Sequence, residues 1–150
     1  MDVVTRGDGE SMVIMFSVSG LPQTKGSTKG FVGRSKKTGK LRAFLTNDNP
    51  KNKGWAADVA REAKRHAPCV PFAGPIWLEL TFRLRKPKRH PRYFVHHTKK
   101  PDLDKLTRSI KDALKQGGIY QDDAQVCDSH QVKIYSDEPG VLVTVKEMGS

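Results

Sequence analysis

Residues 101–125 read PDLDKLTRSIKDALKQGGIYQDDAQ, with Asp102 and Asp104 at the mouth of an amphipathic helix and Asp122 and Asp123 just beyond its end. Carboxylates drawn together repel and raise one another's pKa unless a cation neutralises them. Mg²⁺ is the natural partner, because it takes oxygen ligands from one or two carboxylates and leaves positions for water and phosphate. Such a centre hydrolyses phosphodiesters by polarising phosphate and activating water. Nothing suggests zinc: Cys69 and Cys127 lie far apart without a CxxC spacing, which supports neither a thiolate site nor a disulfide framework and points to a reducing compartment.

Each acidic pair also has a plainer reading. An Asp at a helix start is more often a cap than a ligand, and Asp102, straight after Pro101, stands where a cap belongs. Asp122 and Asp123 suit a turn, since Asp bonds readily to nearby backbone. Metal chemistry requires both pairs to approach one another. A strand, helix and strand packed side by side can return the chain in that way, although spacing does not fix the distance.

Charge elsewhere favours a polyanion. The 150 residues carry 27 Lys and Arg against 16 Asp and Glu, a net charge of +11, which points to a nucleic-acid partner. Its distribution says more. Ser11 to Asn47 contains no acid but includes Lys25, Lys29 and Arg34, and Leu80 to Pro101 contains none but includes Arg85, Lys86, Lys88, Arg89, Arg92, Lys99 and Lys100. These residues, with Lys105, are the candidate DNA contacts, mostly to backbone phosphate. The second tract leads directly into Asp102. His96 and His97 sit in that basic loop and receive no catalytic role.

The elements that must position these groups follow from periodicity. Leu103, Leu106, Ile110, Ala113 and Leu114 form one helical stripe, with Asp104, Arg108, Lys111 and Lys115 opposite. Gly117 and Gly118 stop the helix. Val13 to Val18 reads as a strand, Phe31 to Leu45 as a hairpin, and about Pro50 to His66 as a helix capped by Asn47 or Asp48, with Trp55 and Val59 inward. Ile76 to Leu84 alternates as a half-buried strand should, and Val126 to Tyr135 and Val141 to Glu147 make two more. The expected fold is a single α+β domain with a mixed or antiparallel sheet and two main helices on one face. The length suits one domain that folds without staples. No apolar run is long enough to span a membrane, no secretory signal is evident, and a cytoplasmic location is expected. The absence of a P-loop and of GxGxxG argues against a nucleotide or other small-molecule cofactor.

The run PDLDKLTRSIKDAL, then GGIYQDDAQV, then a closing VKEMG resembles the RusA-type Holliday junction resolvases, endodeoxyribonucleases of bacteria and phages. The opening FSVSGLPQTKGSTKGFV is similar to phage-borne members, so the likeness spans most of the chain from about residue 13. Residues 1–12 are then a polar, disordered N-terminal segment and 13–150 the endonuclease domain. The resemblance implies an α+β homodimer in a bacterial cell that binds four-way junctions. With Mg²⁺ or Mn²⁺ it would make paired nicks on opposing strands during recombination and repair.

It also implies a catalytic set: Asp102, Asp104 and Asp123 as metal-binding carboxylates, with Asp122 a neighbour. Where the best-known members carry an essential lysine on the helix, this chain has Arg108. Arginine supplies charge and bidentate contacts to phosphate but does not readily give up a proton. Its other reading is a surface ion pair with Asp104, one turn away. Lys105 stands where an amide is common in the family. Two rival functions share these features: a non-catalytic nucleic-acid module, in which the acids are a cap and a turn, and a metal nuclease acting on flaps, forks or RNA.

Overall fold

The computed structural model describes residues 3–6, 12–25, 28–34, 41–47, 51–90 and 94–149, with 3–6, 28–34 and 41–47 described in their backbone. In chain order the elements are β1 (Val3–Arg6), β2 (Met12–Ser19), β3 (Thr28–Arg34), β4 (Leu41–Asn47), α1 (Asn52–His66), β5 (Ile76–Arg85), α2 (Leu103–Gln116), a 3-10 turn (Asp123–Gln125), β6 (Val126–Ser136) and β7 (Gly140–Glu147). Five strands form one sheet in the order β1-β2-β7-β5-β6, and β3 pairs with β4 as a separate antiparallel ribbon. Within the large sheet β5 and β6 run parallel, while β1–β2, β2–β7 and β7–β5 are antiparallel. The arrangement is α+β, as expected.

Alternation in β5 sets the core. Ile76, Leu78, Leu80, Phe82 and Leu84 are buried, and the residues between them face the more accessible side. Ile14, Phe16 and Val18 of β2 and Val141, Val143 and Val145 of β7 join the same cluster. The helices close it with Trp55, Val59 and Ala63 from α1 and Leu106, Ile110, Ala113 and Leu114 from α2. Both helices therefore bury their stripes against one apolar layer. Among the described residues no helix is long and apolar enough to cross a membrane.

Two glycines shape the return from α2. A Cβ on Gly117 would lie 2.5 Å from Ala63 Cβ and 2.9 Å from the Ala60 carbonyl oxygen, so its small size lets α1 and α2 touch. Gly118 has φ +85°, a conformation that side chains disfavour. The chain then passes Ile119 and Tyr120, both buried, and enters β6 beside β5. The strand–helix–strand return envisaged from sequence is the parallel unit β5-α2-β6.

Two boundaries differ from expectation. Val3–Arg6 pairs with Met12–Met15 as β1, a strand not among those expected; its β-branched run Val3, Val4, Thr5 suits it. Helix α1 begins at Asn52 after Lys51, with no side-chain cap. Asn47, offered as its cap, is instead the last residue of β4, and Asp48 lies outside the described residues.

Candidate active site

One cleft lies between the outer side of α2 and the exposed half of β6, lined by Asp104, Thr107, Arg108, Lys111, Asp123, Ser129 and Gln131. The helix presents its four residues at three- and four-residue spacing, and the 3-10 turn swings Asp123 in from beyond the helix end. Asp104 and Asp123, far apart in sequence, thus share a site with Arg108. Asp102 lines an adjoining cleft with Thr24, Lys100, Pro101 and Lys105. Among the described residues no three carboxylate, imidazole or thiolate side chains gather closely enough to cage a metal ion.

The plainer readings of the acids now separate. Asp102 occupies the N-cap position of α2, and its carbonyl accepts from Leu106 N at 3.1 Å, but its carboxylate makes no capping bond. It lies 3.9 Å from Lys105 Nζ, an exposed pair worth little. Asp122 does behave as a turn residue. Its Oδ1 accepts from Ala124 N at 3.0 Å, while Gln125 Oε1 accepts from Asp122 N at 2.8 Å, which makes a capping box. Gln125 Nε2 donates to Phe72 O at 2.8 Å and Gly74 O at 2.9 Å and bolts the turn to the chain before β5.

With Asp122 engaged in the turn, Asp123 points inward. Its Oδ1 is buried and has no hydrogen-bond partner. Burial and the contact with Asp112 push its carboxyl up to about 6, against a smaller opposing pull from Lys111 and Lys115. Asp112 is itself pushed up by burial, but its contact with Asp123 and the ion pair with Lys25 leave it below the usual carboxylate range. Tyr120 sits under the pair. Burial and the two carboxylates raise its phenol, whose O–H donates to Lys111 O at 2.7 Å.

The remaining predicted residues fall into groups. Among the described residues Asp104 and Arg108 are both exposed, and no ion pair joins them. Lys25 is bound to Asp112, and its backbone N–H donates to Lys105 O at 3.4 Å, which ties the loop after β2 to α2. Arg85, Lys86, Lys88 and Arg89 are exposed at the end of β5, and Lys99 and Lys100 just before Asp102. The side chains of Lys29 and Arg34, and all of Arg92, lie outside the described residues. Asp112 was missed, although Asp104, Arg108 and Asp112 at successive four-residue steps form one helical row that could have been read.

The residues present suit a hard cation. The donors are carboxylate oxygens, Asp123 lines the cleft and has a buried Oδ1 without a hydrogen-bond partner, and Asp102 is not committed to capping. Thr107 Oγ1 donates its hydrogen to Leu103 O at 2.8 Å, which fixes the hydroxyl against the helix backbone.

The family described as Endodeoxyribonuclease RusA matches residues 31–146, which includes every residue of this cleft. Over 147 residues the chain is 31% identical to the uncharacterized protein YqaN of Bacillus subtilis (strain 168), covering 91% of this chain and 98% of that one.

Proposed function

Because the chain belongs to the endodeoxyribonuclease RusA family, we propose that it is a Mg²⁺-dependent endonuclease that resolves four-way DNA junctions by paired nicks. The observation that carries this reading is the convergence of Asp104, Arg108 and the inward-turned Asp123 on one cleft. Asp104 and Asp123, with Asp102 from the adjoining cleft, would hold the cation, with Mn²⁺ able to replace Mg²⁺. When bound, such an ion stabilises charge on the phosphate and lowers the pKa of a coordinated water.

The side chains divide the remaining work. Arg108, on the exposed rim, offers a planar fork to two non-bridging phosphate oxygens and offsets the charge that grows as water adds to phosphorus. It keeps its proton throughout, so the proton needed by the departing 3′ oxygen comes from solvent. The P–O3′ bond breaks and leaves 5′-phosphate and 3′-hydroxyl ends. The exposed cations before Asp102 draw backbone phosphate toward the cleft. A homodimer would present two such sites about a two-fold axis, which suits a substrate of near two-fold symmetry.

The test is a labelled four-way junction incubated with Mg²⁺ or with EDTA, beside Asp104→Asn and a linear duplex. Symmetric, religatable nicks that require both the ion and Asp104 are expected. Tight junction binding with no cut under Mg²⁺ or Mn²⁺ would favour a non-catalytic module, and trimmed ends on flaps would favour the other nuclease reading.

A further inference from the structure

Lys133 is a half-buried lysine of β6 whose ammonium is turned onto backbone. Its Nζ donates to Lys99 O at 2.8 Å and to Pro101 O at 2.7 Å, and so grips the chain on both sides of Lys100, immediately before Asp102. The residue is also held through its own backbone. Its carbonyl accepts from His97 N at 3.0 Å, and Tyr135 N donates to Val95 O at 2.9 Å, the ladder around an antiparallel His96–Ile134 bridge. The segment from Val95 to Pro101 thereby runs along the outer edge of β6 and enters α2 at its end.

For the helix alone this placement is adverse. The N-terminal end of α2 carries the positive end of its dipole, where a cation costs stability and an anion adds it. Lysine also gives up side-chain freedom to hold two carbonyls that water could serve. What the ammonium supplies is a firm grip, since its hydrogen bonds are roughly twice as strong as neutral ones. Asp102 is the residue that needs one. Its carboxylate makes no capping bond and its pairing with Lys105, at 3.9 Å, is exposed, so its direction is left to the backbone that carries it. Pro101 has no N–H, and its carbonyl is the group by which that backbone can be tied.

One strand serves both sides of the acidic site. Leu78, Leu80 and Phe82 of β5 pair in register with Ser129, Gln131 and Lys133 of β6, so these three share the helix-bearing face. Ser129 and Gln131 line the cleft that holds Asp104 and Asp123, and Lys133, two residues on, holds the entry to Asp102. Asp123 stands in the turn that opens the same strand. We propose that Lys133 is a positioning residue for the metal centre: its grip on Lys99 O and Pro101 O sets Asp102, and with it the first turn of α2 that bears Asp104, against the strand that anchors Asp123. The inference rests on the metal-dependent reading and deepens it, by assigning the placement of the carboxylates to a residue that is not itself a ligand.

The test is calorimetric titration of Mn²⁺ into the protein without DNA, so that no cleavage enters the readout. By charge alone, removing an ammonium beside Asp102 should tighten Mn²⁺ binding. Loss of a group that orients a ligand has the opposite sign, and Lys133→Met is therefore expected to weaken Mn²⁺ binding by about tenfold. Lys133→Arg, which keeps the charge and two donors, should stay within about threefold of the parent. Asp102→Asn should weaken binding as well, and adding Lys133→Met to it should cost less than about twofold more, because the two residues act through one carboxylate. Lys133→Gln, polar but too short to reach both carbonyls, carries the same expectation and replaces Lys133→Met if that variant does not give the parent's circular dichroism. Mn²⁺ binding by Lys133→Met equal to or tighter than the parent's, or losses that multiply in the double variant, would overturn the proposal. Junction cleavage that requires Asp104 would still stand in either event, so the two readings fail separately.

Discussion

Asp123 lies against Asp112, and Asp112 is bound in turn by Lys25, so two carboxylates and one ammonium meet where α2 faces the 3-10 turn. The arrangement leaves Asp123 with an orphaned oxygen and a carboxyl raised to about 6. A folded-state value above the unfolded one means that the folded chain holds its proton longer. Stability from this group is present at low pH and is lost as pH rises through about 6.

Above that pH, Asp123→Asn is therefore expected to stabilise the protein in EDTA while abolishing cleavage. The gain should be about 1 kcal/mol at pH 8, once solvent screening of a half-exposed group is allowed for. Thermal melts of both proteins in EDTA, beside junction cleavage in Mg²⁺, check the opposite signs. A variant that melts lower than the parent would show that Asp123 is a structural acid.

The neighbouring aspartate should behave in the other way. Asp122 serves the turn through its side-chain oxygen, and Asn caps as well as Asp, so Asp122→Asn should keep both stability and cleavage near the parent. Gln125→Ala removes four hydrogen bonds to backbone, from Gln121 N and Asp122 N and to Phe72 O and Gly74 O. About 2–3 kcal/mol of stability should go with them, because part of that backbone is re-solvated. As Asp123 loses its bearing, the cleavage rate at saturating junction should fall more than junction affinity. Urea melts and single-turnover rates separate the two effects.

How much of this was legible from residue order depends on the range of the interaction. The alternation in β5 and the apolar stripe of α2 are local patterns, and both elements formed where their periods placed them. The different fates of Asp122 and Asp123 were also written locally, because Asp122 followed three residues later by Gln125 is the capping-box spacing. The partnership of Asp112 with Lys25 spans 87 positions and depends on how the loop after β2 folds over α2. No local pattern carries that. The same holds for the parallel pairing of β5 with β6, which only the crossover through α2 decides. Strand β1 was hidden by its polar surroundings, although its β-branched residues were visible.

His97 supplies a pH-dependent term of the opposite sign. Burial against β6, and then the charge of Lys133, hold its imidazole below the ordinary value. The unfolded chain thus takes up this proton first as pH falls below about 6.5, and binding more protons in the unfolded state lowers stability. The melting temperature should drop between pH 7.5 and pH 5.5 by less in His97→Gln than in the parent, since Gln does not titrate. Equal drops in the two proteins would remove His97 as the source.

Arg108 separates a charge role from a proton-transfer role. It lies on the rim of the cleft that holds Asp104 and Asp123, and among the described residues no acid pairs with it, so its fork is available to phosphate. If its work is to offset charge on the phosphate, Arg108→Ala should slow single-turnover junction cleavage by about 10²–10³, the range for losing one preorganised donor. Arg108→Lys, a point charge without the planar fork, should restore part of that rate. The parent should also lack an alkaline limb assignable to this residue, because a guanidinium does not deprotonate in the working range, whereas Arg108→Lys could acquire one. Equal rates for the parent and Arg108→Ala would reduce Arg108 to a solvated surface charge.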